Sequence, residues 1–375
     1  MIRVLLAAVM CFMSPDIVAA ESPPATSRFS PAKPGYEYVF PRDHGNHEQF
    51  QTEWWYFTGH LQGSKGRRFG YELTFFRRGI DSPKVWANPS AWALKHLYLA
   101  HFALTDEQAD QFRFDEKISR AGIDKAGARA ETLDVWIDQW HVRALTPDHR
   151  QFHLQAASTD FSINLTVASQ KSPVVHGIDG VSYKGQQFGQ ASHYYSLTRL
   201  QTTGSVRVDD VMMNVEGVSW MDHEFGSGEL ADHLVGWDWF SLQLDNDHEI
   251  MAYGLRRADG TFDSASSGTM VLPDGSTKAL ALQDLDISVD RYWTSPLSGA
   301  RYPHHWTFAI PDEGIGLAIS PRMANQELVT TRSTRVTYWE GAVEVTGQWK
   351  GHDIHGKGYV ELTGYAEPEP YDVKR

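Results

Sequence analysis

What most constrains this chain is a recurring pattern: short segments dense in aromatic and β-branched residues, each closed by Gly, Asp, Asn or Ser, with few stretches of helical period between them. EWWYFTGHLQ (Glu53 to Gln62), FGYELTFFRR (Phe69 to Arg78), HLYLAHFALTD (His96 to Asp106) and FSINLTVAS (Phe161 to Ser169) set the style. WDWFSLQL (Trp237 to Leu244), HEIMAYGLRR (His248 to Arg257), GAVEVTGQW (Gly341 to Trp349) and GYVELTGY (Gly358 to Tyr365) continue it. Such side chains fit a pleated, half-buried surface, and turn residues at this spacing close hairpins. The pattern predicts an all-β chain of antiparallel sheet, closed into barrels or stacked into sandwiches.

A chain of 375 residues is long enough for two domains, each able to bury a core without staples. The Gly226-Ser227-Gly228 stretch is the natural seam. In WDWFSLQL, Trp237 and Trp239 share one face while Phe240, Leu242 and Leu244 share the other. Neither face looks solvated, so one packs a core and the other packs a second layer or lines a cavity.

The first twenty residues differ in character. Arg3 precedes an apolar run from Val4 to Met13 that is too short to span a bilayer, and Val18-Ala19-Ala20 places small residues before Glu21. This pattern predicts a cleavable export signal, a periplasmic or secreted protein, and a flexible leader over residues 21–35. A lipoprotein signal at Cys11 would need a small residue where Met10 stands. No other stretch is apolar and long enough to cross a membrane as a helix. Cys11 is the sole cysteine, so the mature chain is expected to lack disulfides, thiolate metal sites and a cysteine nucleophile. With 47 acidic against 34 basic side chains the net charge is −13, which disfavours nucleic acid and anionic membranes as partners.

Chemistry concentrates in WMDHEFGSG (Trp220 to Gly228) and the following WDW (Trp237 to Trp239). Asp222, His223 and Glu224 set two carboxylates beside an imidazole, a combination suited to proton transfer once burial raises a carboxyl pKa. On an extended strand, Asp222 and Glu224 would share one face and His223 the other. From residue pattern alone, the segment reads first as a charged, solvated turn at a domain junction. HxH, HExxH, GxSxG and GxxxxGK[ST] patterns are absent, so no metal site, serine nucleophile or nucleotide loop is expected. Trp54-Trp55-Tyr56-Phe57 and Tyr194-Tyr195 read individually as core, yet thirteen tryptophans also suit the rigid walls of an apolar ligand site.

Taken together, EWWYFTGHL, YLAHFALTD, HYYSLTRL, DHEFGSG, GWDWFSLQL and YWEGAVEVTG…GYVELTGY resemble the AttH-like and hydroxyneurosporene-synthase (CrtC, carotenoid 1,2-hydratase) superfamily, from about Tyr36 to Tyr365. The resemblance implies two consecutive lipocalin-like antiparallel β-barrel domains, here 36–225 and 226–370. It also implies a hydrophobic, isoprenoid- or lipid-like ligand in a lipocalin-like cavity, with an envelope ABC transport system as a further partner. The alternative it implies is a hydratase, lyase or isomerase acting on an apolar alkene without a cofactor. By motif, His223 takes the position of the family's DH-x-aromatic histidine, Phe225 the position of a Trp, and Tyr253 that of a site tyrosine. The sites so implied are Asp222, His223, Glu224 and Tyr253 for catalysis, and Trp54, Trp55, Tyr195, Phe225, Trp237 and Trp239 for the ligand. Leu255 stands where the hydratases carry their acid, so Asp222, Glu224 or Asp238 would have to supply the proton.

Overall fold

The computed structural model describes residues 27–366 apart from 91, 186–188 and 229. The export signal expected over residues 1–20, the first part of the leader and residues 367–370 of the second unit lie outside the described residues.

Every segment singled out by its aromatic pattern contributes to a strand. The first sheet begins with β1 (Thr52–Gly63), β2 (Arg68–Gly79), β3 (His96–Asp106) and β4 (Gln111–Arg120). It continues through β5 (Ala126–Ala128), β6 (Asp134–Ile137), β7 (Trp140–Ala144), β8 (Gln151–Ala157) and β9 (Phe161–Ser169). The short β10 (Val174–Val175) and β11 (Ser182–Tyr183) pair with β12 (Ala191–Val208), which leads into β13 (Val211–Gly226). The order across this sheet is β4-β3-β2-β1-β13-β12-β9-β8-β7-β6-β5, antiparallel throughout.

After Gly226 the chain enters a second sheet. Its strands are β14 (Leu234–Leu244), β15 (Glu249–Arg257), β16 (Ser267–Val271), β17 (Thr277–Ala281) and β18 (Asp286–Thr294). They are followed by β19 (Arg301–Ile310), β20 (Ile315–Pro321), β21 (Glu327–Val329), β22 (Thr337–Trp349) and β23 (His352–Leu362). The order is β17-β16-β15-β14-β23-β22-β20-β19-β18, with β21 beside β22. Each sheet curls into a barrel or half-barrel around its own apolar cluster, which is the expected all-β, two-barrel architecture.

Alternation decides what each barrel keeps inside. Trp55, Phe57, Leu73, Phe75 and Tyr195 fill the first, and Phe240, Leu242, Ile250, Val343 and Val360 fill the second. The interiors are occupied by the protein's own side chains, as in small barrels generally. A cavity lined by residues of both sheets lies between the barrels.

The facing surfaces of the two sheets form a third apolar layer that includes Tyr56, Tyr194, Trp220, Trp239, Tyr253 and Tyr359. Polar ties cross the joint. The His60 ring contacts the Gly358 carbonyl at 2.8 Å, and the Gln243 amide donates to the carbonyls of Thr198 and Ser219. Buried Glu249 is gripped by Lys171 at 2.8 Å and Arg199 at 2.5 Å. Gly70 permits the closest approach: a Cβ there would come within 2.6 Å of the Tyr359 hydroxyl and 2.7 Å of the Ala342 methyl. Within 27–35, the described part of the segment expected to be a flexible leader, two apolar side chains are covered while most other residues are exposed. Phe29 and Ala32 are buried, and the Ser30 carbonyl accepts from the Ser227 hydroxyl, because these apolar side chains find cover on the first barrel.

Candidate active site

The site is built by the alternation of two neighbouring strands. Register pairs Tyr56 of β1 with Asp222 of β13 and with Thr74 of β2, and Asp222 with Ser196 of β12, so these four stand in one row. The next row runs Phe76, Trp54, Glu224, Tyr194. On the opposing sheet, Tyr253, Trp239, Glu361 and Glu340 form a row across β15, β14, β23 and β22. Between the two surfaces lies a cavity of about 470 Å³, within the range of roughly 300–1,000 Å³ usual for small-molecule sites. Trp54, Tyr56, Tyr194, Trp237, Trp239, Tyr253 and Leu255 give it walls, and Glu72, Asp222, Glu224 and Glu361 give it acid.

Asp222 is almost wholly buried. Its carboxyl accepts from Trp220 Nε1 at 2.7 Å, from the Tyr194 hydroxyl at 2.9 Å and from the Ser196 hydroxyl. Burial, aided by Glu224, outweighs these donors and pushes its pKa up to about 7. Glu224 accepts from Ser192 and pairs with Lys184 at 3.2 Å. Lys184 also lies 4.4 Å over the Tyr253 ring, whose hydroxyl is taken by Ser182 at 2.9 Å and Ser267 at 3.0 Å. Tyr253 thus presents its face, not its hydroxyl, to the cavity region.

Three further acids complete the ring. Glu361 accepts from Trp237 Nε1 at 2.8 Å, and burial raises it to about 7. Glu72 Oε1 accepts from Thr74 at 2.7 Å and lies 3.2 Å from the Tyr338 hydroxyl, while Oε2 is buried without a partner. Burial first, then Glu361, raises Glu72 to about 8. Glu340 sits behind Tyr56, whose hydroxyl donates to it at 2.7 Å, and burial together with Glu72 and Glu361 raises it well above the carboxylate range. These acids sit alternately among apolar residues, Glu72 in YELTF, Glu340 in YWEGAV and Glu361 in YVELTG. A carboxyl in the middle of an otherwise apolar strand is the signal that marks them in the sequence.

The structure separates the residues named from sequence. Asp222, Glu224, Tyr253, Trp54, Trp237 and Trp239 line the cavity, and so does Leu255. His223, Phe225, Trp55 and Tyr195 are corrected: they lie on the other face, away from the cavity, because odd-numbered positions of β1, of β13 and of β12 from His193 to its bulge after Leu197 face that way. Trp55 and Tyr195 join the first barrel's core, and Phe225 packs in a separate cluster with Phe50 and Ala32. Asp238 also faces away from the cavity, held by Tyr365 at 2.9 Å with Arg256 at 3.8 Å. Nor is the DHE segment a solvated turn, since Asp222, His223 and Glu224 are all buried within β13.

Inside the barrel, His223 Nε2 and His47 Nδ1 both meet Glu53 Oε1, at 2.9 and 2.8 Å, while Arg77 Nε donates to Glu53 Oε2 at 3.0 Å. The Tyr195 hydroxyl bridges His223 Nδ1 at 3.0 Å and His44 Nδ1 at 2.7 Å. Trp55 donates to the His44 carbonyl, and Phe225 stacks on His47 at 3.7 Å. Burial would raise Glu53, but Arg77, His223 and His47 hold it well below its usual range. Ligand atoms of His47, Glu53 and His223 lie within 4.8 Å of one another, a grouping that linear spacing conceals. The Arg77 guanidinium already supplies the positive charge there, so the donor set is complete as protein.

Fold and site together define a class: a two-barrel β-protein with an apolar, acid-lined cavity at the joint. Residues 31–365 match the AttH-like family, and the chain belongs to it. A solved protein from Nitrosomonas europaea described as an AttH is 32% identical, with TM-score 0.81 over 90% of this chain and all of that one. Kievitone hydratase from Nectria haematococca shares the fold at 15% identity, with TM-score 0.67 over 91% of this chain and 99% of that one. Dehydratase asqC of Emericella nidulans is 23% identical over 225 residues, 57% of this chain; the match spans 62% of that relative.

Proposed function

We propose that the protein is a hydro-lyase that adds or removes water at an apolar, alkene- or alcohol-bearing small molecule held between the barrels. The carrying observation is the convergence of Glu72, Asp222, Glu224 and Glu361 on one apolar cavity, with Glu72 and Asp222 pushed towards neutrality. Carboxyls kept protonated near neutral pH are proton donors, and environments that push two of them apart sort acid from base. Glu72, with Oε2 unpartnered, is the acid; Asp222, whose oxygens are surrounded by three donors, is the base.

In hydration, Glu72 gives its proton to one alkene carbon. The cation on the other carbon faces the aromatic walls, water adds to it, and the surplus proton of that water passes to Asp222. In dehydration Glu72 protonates the leaving hydroxyl while Asp222 takes the proton from the adjacent carbon. Neither direction changes the overall oxidation level, so the reaction calls for no redox cofactor. A hydratase and a dehydratase among the relatives catalyse opposite directions of this class, which supports the reading. Leu255, at the position where carotenoid hydratases are expected to carry their acid, argues for a different substrate and a relocated donor.

A binder without catalysis would use the same walls but would not need the acids. The test is to extract the protein purified from its native envelope, identify the co-purifying molecule, and follow gain or loss of water by mass spectrometry. Turnover that falls in both Glu72→Gln and Asp222→Asn, with binding retained, is expected. A bound molecule that neither exchanges with labelled water nor changes mass would leave a carrier. Export rests on the signal reading of residues 1–20, and fractionation of cells tests it.

A further inference from the structure

Glu72 belongs to a chain of hydrogen bonds that leaves the cavity and ends on another carboxyl. Its Oε1 lies 3.2 Å from the Tyr338 hydroxyl, which lies 2.7 Å from His101 Nδ1. His101 Nε2 is 2.9 Å from the Ser333 hydroxyl, and Ser333 is in short contact with Glu116 Oε2. The chain crosses the joint four times, since Glu72, His101 and Glu116 come from β2, β3 and β4, while Tyr338 and Ser333 come from the second unit.

Counting hydrogens gives the chain a direction. Glu116 accepts the backbone N–H groups of Thr331, Arg332 and Ser333, and these donors suit the ionised form. Burial would raise it, yet the Ser333 hydroxyl and these N–H groups keep it below its usual range. The hydrogen in the short Ser333 contact therefore belongs to Ser333. Having one hydrogen and having given it to Glu116, Ser333 can only accept from His101, which must carry its proton on Nε2. Burial lowers His101 to about 4, so the ring is neutral and Nδ1 is bare. Nδ1 then takes the Tyr338 hydrogen, and Tyr338 turns a lone pair towards Glu72.

We propose that Glu116, outside the cavity, holds Glu72 in its acid form through Ser333, His101 and Tyr338. The three act as positioning residues, with His101 fixed as the Nε2–H tautomer. An ionised Glu72 would meet a lone pair at Tyr338, whereas the acid can donate to Tyr338 or into the cavity. This deepens the assignment of Glu72 as proton donor and rests on it. The other titratable groups around Glu72 are Tyr56 on β1, Tyr338 and Glu340 on β22, and Glu361 and Tyr359 on β23, with Asp222, Glu224, Lys184 and Arg78 among the cavity lining. Ser333→Ala leaves all of them in place.

The experiment uses the full mature chain and no substrate. Nitrogen-15 NMR of the histidine rings should show one neutral Nε2–H ring that disappears in His101→Gln. The infrared acid carbonyl band lost in Glu72→Gln reports Glu72, and in Ser333→Ala its titration midpoint should fall by roughly one pH unit. An Nδ1–H tautomer for His101, or an unmoved Glu72 midpoint in a folded Ser333→Ala, would overturn the chain. Neither readout depends on turnover. A protein that shows both yet never moves water would lose the lyase reading and keep this one.

Discussion

Two polar clusters sit back to back on β1 and β13, one inside the first barrel and one facing the second. The inner cluster places Glu53 against Arg77, His47 and His223, and every acid there has a cation or imidazole partner. The outer cluster brings Glu72, Asp222, Glu224 and Glu361 to one cavity beside Lys184 and Arg78. Equally buried carboxyls therefore end in opposite states: Glu53 and Asp43 are held down, while Asp222, Glu361 and Glu72 are pushed up. Burial is common to both clusters, so the supply of positive charge decides which becomes a strut and which a proton reservoir.

The contrast breaks most visibly on the inner side. Glu53→Ala should lower unfolding stability by about 3–5 kcal/mol, since it strands the fully buried Arg77. Denaturant titration checks this, and a loss below about 1 kcal/mol would mean that the inner cluster is not a strut. On the outer side, Glu72→Gln should cost roughly 10²–10⁴ in turnover while leaving stability equal or higher, because it replaces a destabilised acid by a neutral isostere. Comparing kcat with the unfolding midpoint separates the two effects.

The two clusters also titrate in opposite senses. Asp222, Glu361 and Glu72 have folded values of about 7, 7 and 8 against ordinary values of 3.8, 4.5 and 4.5. Their contribution is intact below about pH 4 and is lost as pH rises through about 8, with a slope of at most about 1.4 kcal/mol per pH unit per group. Asp43 and Glu53, held low, contribute above their ordinary values and lose that contribution as the solution is acidified. Stability should therefore fall on both sides of mildly acidic pH. Glu72→Gln should flatten the upper limb, and unchanged limbs in that variant would remove it as a titrating group. The smallest effect is expected at the walls: Trp239→Leu should weaken binding of a neutral apolar fluorophore such as Nile red about tenfold. Fluorescence titration reads it, and unchanged affinity would place the ligand elsewhere.

Much of this arrangement was legible along the chain. The strands followed from aromatic alternation, and alternation also placed Asp222 and Glu224 on the face opposite His223. Motif likeness joined Trp55, Tyr195, His223 and Phe225 to the same site because it carries no face information, and the structure turns all four to the face away from the cavity. Glu72, Glu340 and Glu361 escaped notice because they lie far apart in sequence and meet only when the two sheets close on each other.

By itself the sequence determined the kind of surface each strand presents, since a period of two and the choice of side chain act locally. It also determined that the Gly226 to Gly228 region lies next to the passage from one sheet to the next. Only the tertiary structure decided which faces meet. Packing of the two sheets against each other left a cavity at the joint, and that juxtaposition brought acids from β2, β13 and β23 together in the same apolar space. A carboxyl's protonation depends on the solvent it loses and the charges it meets, and both are properties of the assembled molecule.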